Sequence, residues 1–200
     1  MAFNFFKKEK ELSNEEQLAR WEKEGRPAPP PHIVKQTAIA EYRKKYNVDI
    51  LVETGTFFGD MVEAQKSSFK KVYSVELSEK LFKKAQKRFK NDQQVYLFQG
   101  DSSTVLNKII PELKEPALFW LDGHYSGGIT ALGHKECPVP EELEAIFKSP
   151  HQHLILIDDA RLFNGTCSYP TLEEIKALMK SAGKDYSIEV IDDIIRLILT

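Results

Sequence analysis

The sequence predicts an α/β fold: a seven-stranded, mostly parallel sheet with helices on both faces and a C-terminal antiparallel hairpin. Two observations carry this prediction. After residue 48, short β-rich runs alternate with helical patterns, the runs being DILVET, KVYSVE, QVYLFQ, ALFWLD and HLILID. Near-continuous apolar runs separated by helices belong to a parallel sheet covered on both sides. The last segment, YSIEVIDDIIRLILT, then holds two more runs, 186–191 and 194–199, parted only by Asp192 and Asp193. Two residues are too few for a parallel crossover, so these strands must form a hairpin.

The elements follow in order. Residues 12–24 are polar, with Leu12, Leu18 and Trp21 irregularly spaced, and read as a peripheral helix. Prolines at 27–31 form a stiff spacer, and a second helix at 33–46 leads into the core. We divide the chain accordingly into a helical extension with a proline-rich spacer, 1–47, and an α/β domain, 48–200. Within the latter, Asp60 is expected to cap a helix over 60–68, and Ser78 one over EKLFKKAQKRF, where Leu81, Phe82, Ala85 and Phe89 share a face. The six Lys and Arg residues from Lys80 to Lys90 flank that face as a solvated surface, with no glycine or aromatic platform to suit nucleic acid. Shorter helices are expected at 101–110 and 140–147, and Thr171 with Glu174 opens a last one that Gly183 ends.

Composition excludes several classes. With 28 basic and 30 acidic residues the formal charge is -2, which gives no general attraction to nucleic acid or anionic lipid. Cys137 and Cys167 stand 30 positions apart in no C-x-x-C pair, which suits a reducing compartment, the cytoplasm, and argues against a disulfide framework or zinc. No apolar run approaches the ~18 residues of a membrane span. The N-terminal MAFNFFKKEK places its apolar residues before its lysines, the reverse of a secretory signal. The N-terminal helix and spacer are a candidate element for homo-oligomerisation.

In an open parallel sheet the ligand crevice lies outside the carboxyl ends of the strands. Each of the five parallel runs carries an acid there: Glu53 before TGTFFG, Glu76 before LS, Asp101 in GDS, Asp122 before GHYSGG, and Asp158–Asp159 before ARLF. Gly55 and Gly59 permit close backbone approach, and the following helix offers N–H groups to a ligand. Glu76 stands about 20 residues further on, where a ribose-binding acid is found in nucleoside sites. The glycines fall as Glu53-x-Gly55-x-x-x-Gly59 and lack the G-x-G-x-x-G that seats a dinucleotide pyrophosphate.

With these motifs, residues 48–200 resemble the class I S-adenosylmethionine-dependent methyltransferases in element order. The resemblance implies a Rossmann-like fold with S-adenosyl-L-methionine as cofactor. Glu53, Gly55, Thr56 and Gly59 would hold its methionine part, Glu76 its ribose, and Asp101 with Ser102 its adenine, with Asp122 also beside it. Asp122, Asp158 and Asp159 further resemble the acid and acidic pair of the metal-dependent sugar O-methyltransferases. That likeness implies a divalent cation, Mg2+ or another oxygen-seeking ion, and a small polyhydroxylated or glycosyl acceptor. Asp122 and His124 are candidate catalytic bases, and Tyr125 and Arg161 candidate acceptor contacts. The loop after Asp122 departs from the sugar-modifying pattern; it is long and rich in glycine and proline, its Tyr125, His134 and Cys137 are candidate contacts, and for the last two loop packing is preferred to a zinc site. His151 and His153, at the opposite end of the fifth run, are read as structural. Two other functions stay open, a nicotinamide-dependent oxidoreductase and a cofactor-binding or scaffold protein without turnover. Internal salt bridges within the acidic trio would favour the last.

Overall fold

The computed structural model describes residues 12–123 and 136–199. Five strands are parallel: β1 (Ile50–Thr54), β2 (Lys71–Glu76), β3 (Val95–Gln99), β4 (Leu118–Leu121) and β5 (Leu154–Ile157). The chain closes with β6 (Tyr186–Ile191) and β7 (Ile194–Leu199), and the sheet order is β3-β2-β1-β4-β5-β7-β6. β7 runs antiparallel to both neighbours, β5 and β6. Asp192 and Asp193, at φ 54° and 62°, make the connection. Positive φ at both central residues gives the primed turn whose twist matches the strands it joins. Strand order reverses between β1 and β4, which places the crevice at their carboxyl ends.

Among the described residues there are seven α-helices: α1 (Asn14–Lys23), α2 (His32–Tyr46), α3 (Asp60–Gln65), α4 (Glu79–Arg88), α5 (Ser102–Ile109), α6 (Val139–Phe147) and α7 (Leu172–Ser181). Side chains alternate between the two faces of a strand, so each strand feeds two cores. On one side Val52, Phe119, Leu121, Ile155 and Ile157 meet Leu106 and Ile109 of α5, Leu143 and Ile146 of α6 and Ile175 of α7. On the other, Leu51, Val72, Leu118, Trp120 and Leu156 meet Ala38, Ile39 and Tyr42 of α2, Met61 of α3 and Ala85 of α4. That period-two alternation, carried past the last strand residues, assigns Glu53, Ser74, Glu76, Asp122 and Asp158 to the α2 face.

Helix ends follow local chemistry. Ser13 and Thr171 form capping boxes with Glu16 and Glu174, Ser78 Oγ accepts from Leu81 N, and Gly183 follows α7 at φ 63°. α3 differs from expectation: it spans 60–65 rather than 60–68, and its N-cap is Gly59, with no side-chain cap. Asp60 is instead the first helical residue, and its carboxylate takes Arg88 Nη1 at 2.6 Å. An acid in the first turn is favoured there by the helix dipole, with or without a capping bond. His153, as expected, is structural: buried before β5, it accepts Ala117 N through Nδ1 at 3.0 Å and contacts Ser149 Oγ through Nε2 at 2.8 Å. Burial drives its pKa down to about 4, so the ring is neutral.

Candidate functional site

Glu53 is the fourth residue of β1 and lies opposite Ser74 on β2 and Trp120 on β4. Its carboxyl is buried at 2% exposure and accepts a short hydrogen bond from Ser74 Oγ. Ser74 in turn stands 2.6 Å from Thr56 Oγ1, which links the strand to the glycine loop. Burial pushes the Glu53 carboxyl up to about 8; the Ser74 bond opposes the shift and the charges of Asp122 and Glu76 add to it. Among the described residues no cation is bonded to Glu53, so near neutral pH its carboxyl keeps its proton beside the acids Asp122 and Glu76.

Glu76 ends β2 and organises the loop. Its Oε2 accepts from Phe57 N at 2.7 Å and its Oε1 from Ser78 N at 2.8 Å. Burial raises its pKa against the pull of those N–H donors. Phe57 is held at φ 51°, and its ring and that of Phe58, both about 40% exposed, lie 4.2 Å apart at the rim. The spacing of the glycines signals close approach, and the structure shows what each approaches. A Cβ on Gly55, at φ 88°, would lie 2.3 Å from the Asp122 carbonyl oxygen, and one on Gly59 would lie 2.6 Å from the Phe89 ring. Gly55 therefore seals the β1–β4 junction, and Gly59 lets α4 close on the loop.

Asp101 serves α5 as its N-cap, with Oδ1 accepting from Ser103 N at 3.0 Å and Ser103 Oγ at 2.6 Å. Ser102, the first residue of that helix, is buried beside it.

Asp122 and Asp158 follow β4 and β5 in matching register: Asp122 N donates to Thr54 O at 3.1 Å, and Asp158 N to Leu121 O at 3.0 Å. The structure thus brings Glu53, Asp122 and Asp158 to adjacent strand ends. It also supplies what the sequence reading missed, Lys35 of α2, whose ammonium makes a short ion pair with Asp158 Oδ2. Lys35 Nζ also lies 4.0 Å from Asp159 Oδ1, and Asp158 Oδ1 accepts from Asp159 N at 2.9 Å. Burial pulls the Lys35 pKa down, but Asp158, Asp122 and Asp159 outweigh it and hold the ammonium charged.

Asp159 turns away at φ 57° and accepts from Arg161 Nη1 at 2.8 Å. Arg161, a candidate acceptor contact, pairs with Asp159 and with Asp193 of the hairpin turn. Tyr169, also unforeseen, is buried near this end; its hydroxyl pKa is raised by burial and by the acidic groups Cys137, Asp159, Glu136 and Asp122.

The acidic trio does not fit a metal. Both oxygens of Asp158 are engaged by Lys35 and Asp159 N, Asp159 Oδ1 faces Arg161, and among the described residues no three His, Cys, Asp or Glu side chains converge to hold an ion. His124, Tyr125 and His134 lie outside the described residues, whereas Cys137 is buried in the core as expected of a packing residue. No described helix is long and apolar enough to cross a membrane.

No protein-family model and no curated protein matches the chain. Solved structures do. An O-methyltransferase from Bacillus cereus in complex with SAH is 18% identical, with a TM-score of 0.59, and the match covers 92% of this chain and 89% of that one. The O-methyltransferase TomG from Streptomyces achromogenes, involved in tomaymycin synthesis and in complex with SAM, is 12% identical, with a TM-score of 0.60 and coverage of 94% and 92%. The SAH-bound methyltransferase PaMTH1 of Podospora anserina is 15% identical, with a TM-score of 0.56 over 93% and 85%. At these identities the likeness is one of architecture, and the chain has the Rossmann-like fold that these methyltransferases share.

Proposed function

We propose that the protein is an S-adenosylmethionine-dependent O-methyltransferase acting on a hydroxyl of a small polyhydroxylated or glycosyl acceptor. The observation that carries this reading is the group of strand-end acids at the β1–β4 switch point, with Glu53 buried, bonded to no described cation and raised to about 8, so that it keeps its proton until a cation enters. S-adenosylmethionine brings a sulfonium and an α-ammonium, either of which would favour the ionised Glu53 and pair with it. A nicotinamide dinucleotide brings a pyrophosphate, which gains nothing from these acids, and the chain lacks the glycine pattern that seats it. The solved methyltransferases of like fold support the assignment.

On this reading Glu53, Gly55, Thr56 and Gly59 line the methionine part, the Glu76 carboxylate accepts from the ribose hydroxyls, and Asp101 with Ser102 borders the adenine. The acceptor oxygen attacks the sulfonium methyl in line; the O–C bond forms as the C–S bond breaks, leaving S-adenosylhomocysteine and a methyl ether. The hydroxyl proton passes to a base, for which Asp122 at the end of β4 and His124 beyond it are the candidates. No step is assigned to a divalent ion, because the acidic trio does not fit one.

The ion pairs of Asp158 and Asp159 favour a second reading, a cofactor-binding protein of this fold without turnover. Calorimetric titration with S-adenosylhomocysteine and with NADH, each with and without magnesium, tests both. Micromolar binding of the former and none of the latter is expected; tighter binding of NADH would sink the proposal. Methyl release from labelled cofactor onto a panel of sugars and phenols then separates enzyme from binder.

A further inference from the structure

Lys35 sits in the part of the chain expected to be an accessory extension, yet its position is built with care. In α2 it precedes the buried Ala38, Ile39 and Tyr42 at helical spacings of three, four and seven. It therefore shares the stripe that packs against the sheet, one turn before Ala38, and meets the end of β5. Its side chain is only 15% exposed and reaches Asp158, 123 residues away in sequence, whose carboxylate is buried. The α2 face of the sheet is the one on which Glu53, Glu76, Asp122 and Asp158 all stand, so the lysine meets the side of the sheet that carries these four acids.

We propose that Lys35 is the resident cation of this cleft: its ammonium holds the place beside Asp158 and Asp159 that a divalent ion would need, and methyl transfer here proceeds without a metal. The second clause rests on the methyl-transfer reading, and the first does not. The argument is one of occupancy and charge. A carboxylate buried at a strand end needs a counter-charge, and a single ammonium pinned within a short ion pair supplies it while using the oxygen a metal would coordinate. With Asp158 Oδ1 taken by Asp159 N and Asp159 Oδ1 by Arg161, the pair has been committed to protein partners on each side.

The test uses the whole chain and thermal melting in about 5 mM EDTA, MgCl2 or MnCl2, since a ligand bound only by the native state raises the midpoint in proportion to its occupancy. The wild-type midpoint should be the same in all three to within about 1 °C. Lys35→Met should melt markedly lower and should gain a manganese-dependent rise, because the acids are then uncompensated. Lys35→Met combined with Asp158→Asn should melt above Lys35→Met alone and lose the manganese response, the coupling expected of a buried pair. A wild-type midpoint that rises by several degrees in manganese and falls in EDTA overturns the proposal, as does a Lys35→Met protein with neither lower midpoint nor metal response. Should Lys35→Met fail to fold, recovery in the double variant supports the pairing, and the wild-type metal series decides in either case. S-adenosylhomocysteine binding, measured alongside, keeps the two claims apart. A chain that binds none of it yet behaves as stated would sink the methyl-transfer reading and leave Lys35 as the cation.

Discussion

Glu53 and Gly55, two residues apart, each owe their character to a neighbouring strand. For Glu53 the pH dependence has a definite sign. Its folded pKa of about 8 lies above the reference 4.5, so between those values the folded chain holds a proton that the unfolded chain has lost. Stability from this group is full below the unfolded value and drains away as pH rises through the folded one. Glu53→Gln, which keeps the shape and cannot ionise, should therefore flatten the fall of the melting midpoint between pH 5 and pH 8, an effect on the order of a few kcal/mol. Melts of both proteins across that range check it, and parallel curves would show that Glu53 is already ionised. Gly55→Ala meets both a positive φ and the Asp122 carbonyl 2.3 Å from its new Cβ. Gly25→Ala shares the backbone strain, at φ 83°, but has open space around its Cβ. Urea unfolding should show about 1 kcal/mol lost at Gly25 and at least about 3 kcal/mol at Gly55, the difference being the clash.

At the scale of elements, α2 carries more than its sequence suggests. Its mean polarity is high, but Ala38, Ile39 and Tyr42 form a buried stripe against Leu51, Trp120 and Leu156, and Val34 is buried as well. Ile39→Ala should lower unfolding free energy by about 2–5 kcal/mol, the cost of a large-to-small change in a core, and equilibrium urea unfolding measures it. A loss below about 0.5 kcal/mol would mean that α2 is a loosely held extension. The hairpin was legible because its two-residue connection leaves only one geometry. The extent of α3 was not, since Asp60 as cap and Asp60 as first helical residue look alike until Arg88 of α4 is folded beside it.

For the molecule as a whole, sheet order grades local stability. β4 is paired on both edges, with β1 and β5, and its four residues are buried, whereas β6 is an edge strand whose last three residues are exposed. Amide hydrogen exchange should be slowest in β4 and its neighbours and at least about tenfold faster in β6. Uniform protection would show that the hairpin opens only with the rest. The sequence by itself determined the seven strands, the hairpin and the acids at the strand ends. These follow from periods of 2 and 3.6 residues and from connection lengths, which are properties of neighbouring residues. Only the tertiary structure decided that Gly55 makes room for the Asp122 carbonyl, that Arg161 reaches Asp193, and that Lys35 pairs with Asp158. Each of these joins segments far apart in sequence, and no local pattern states which helix will cover which face of a sheet or where a half-buried lysine on it will end.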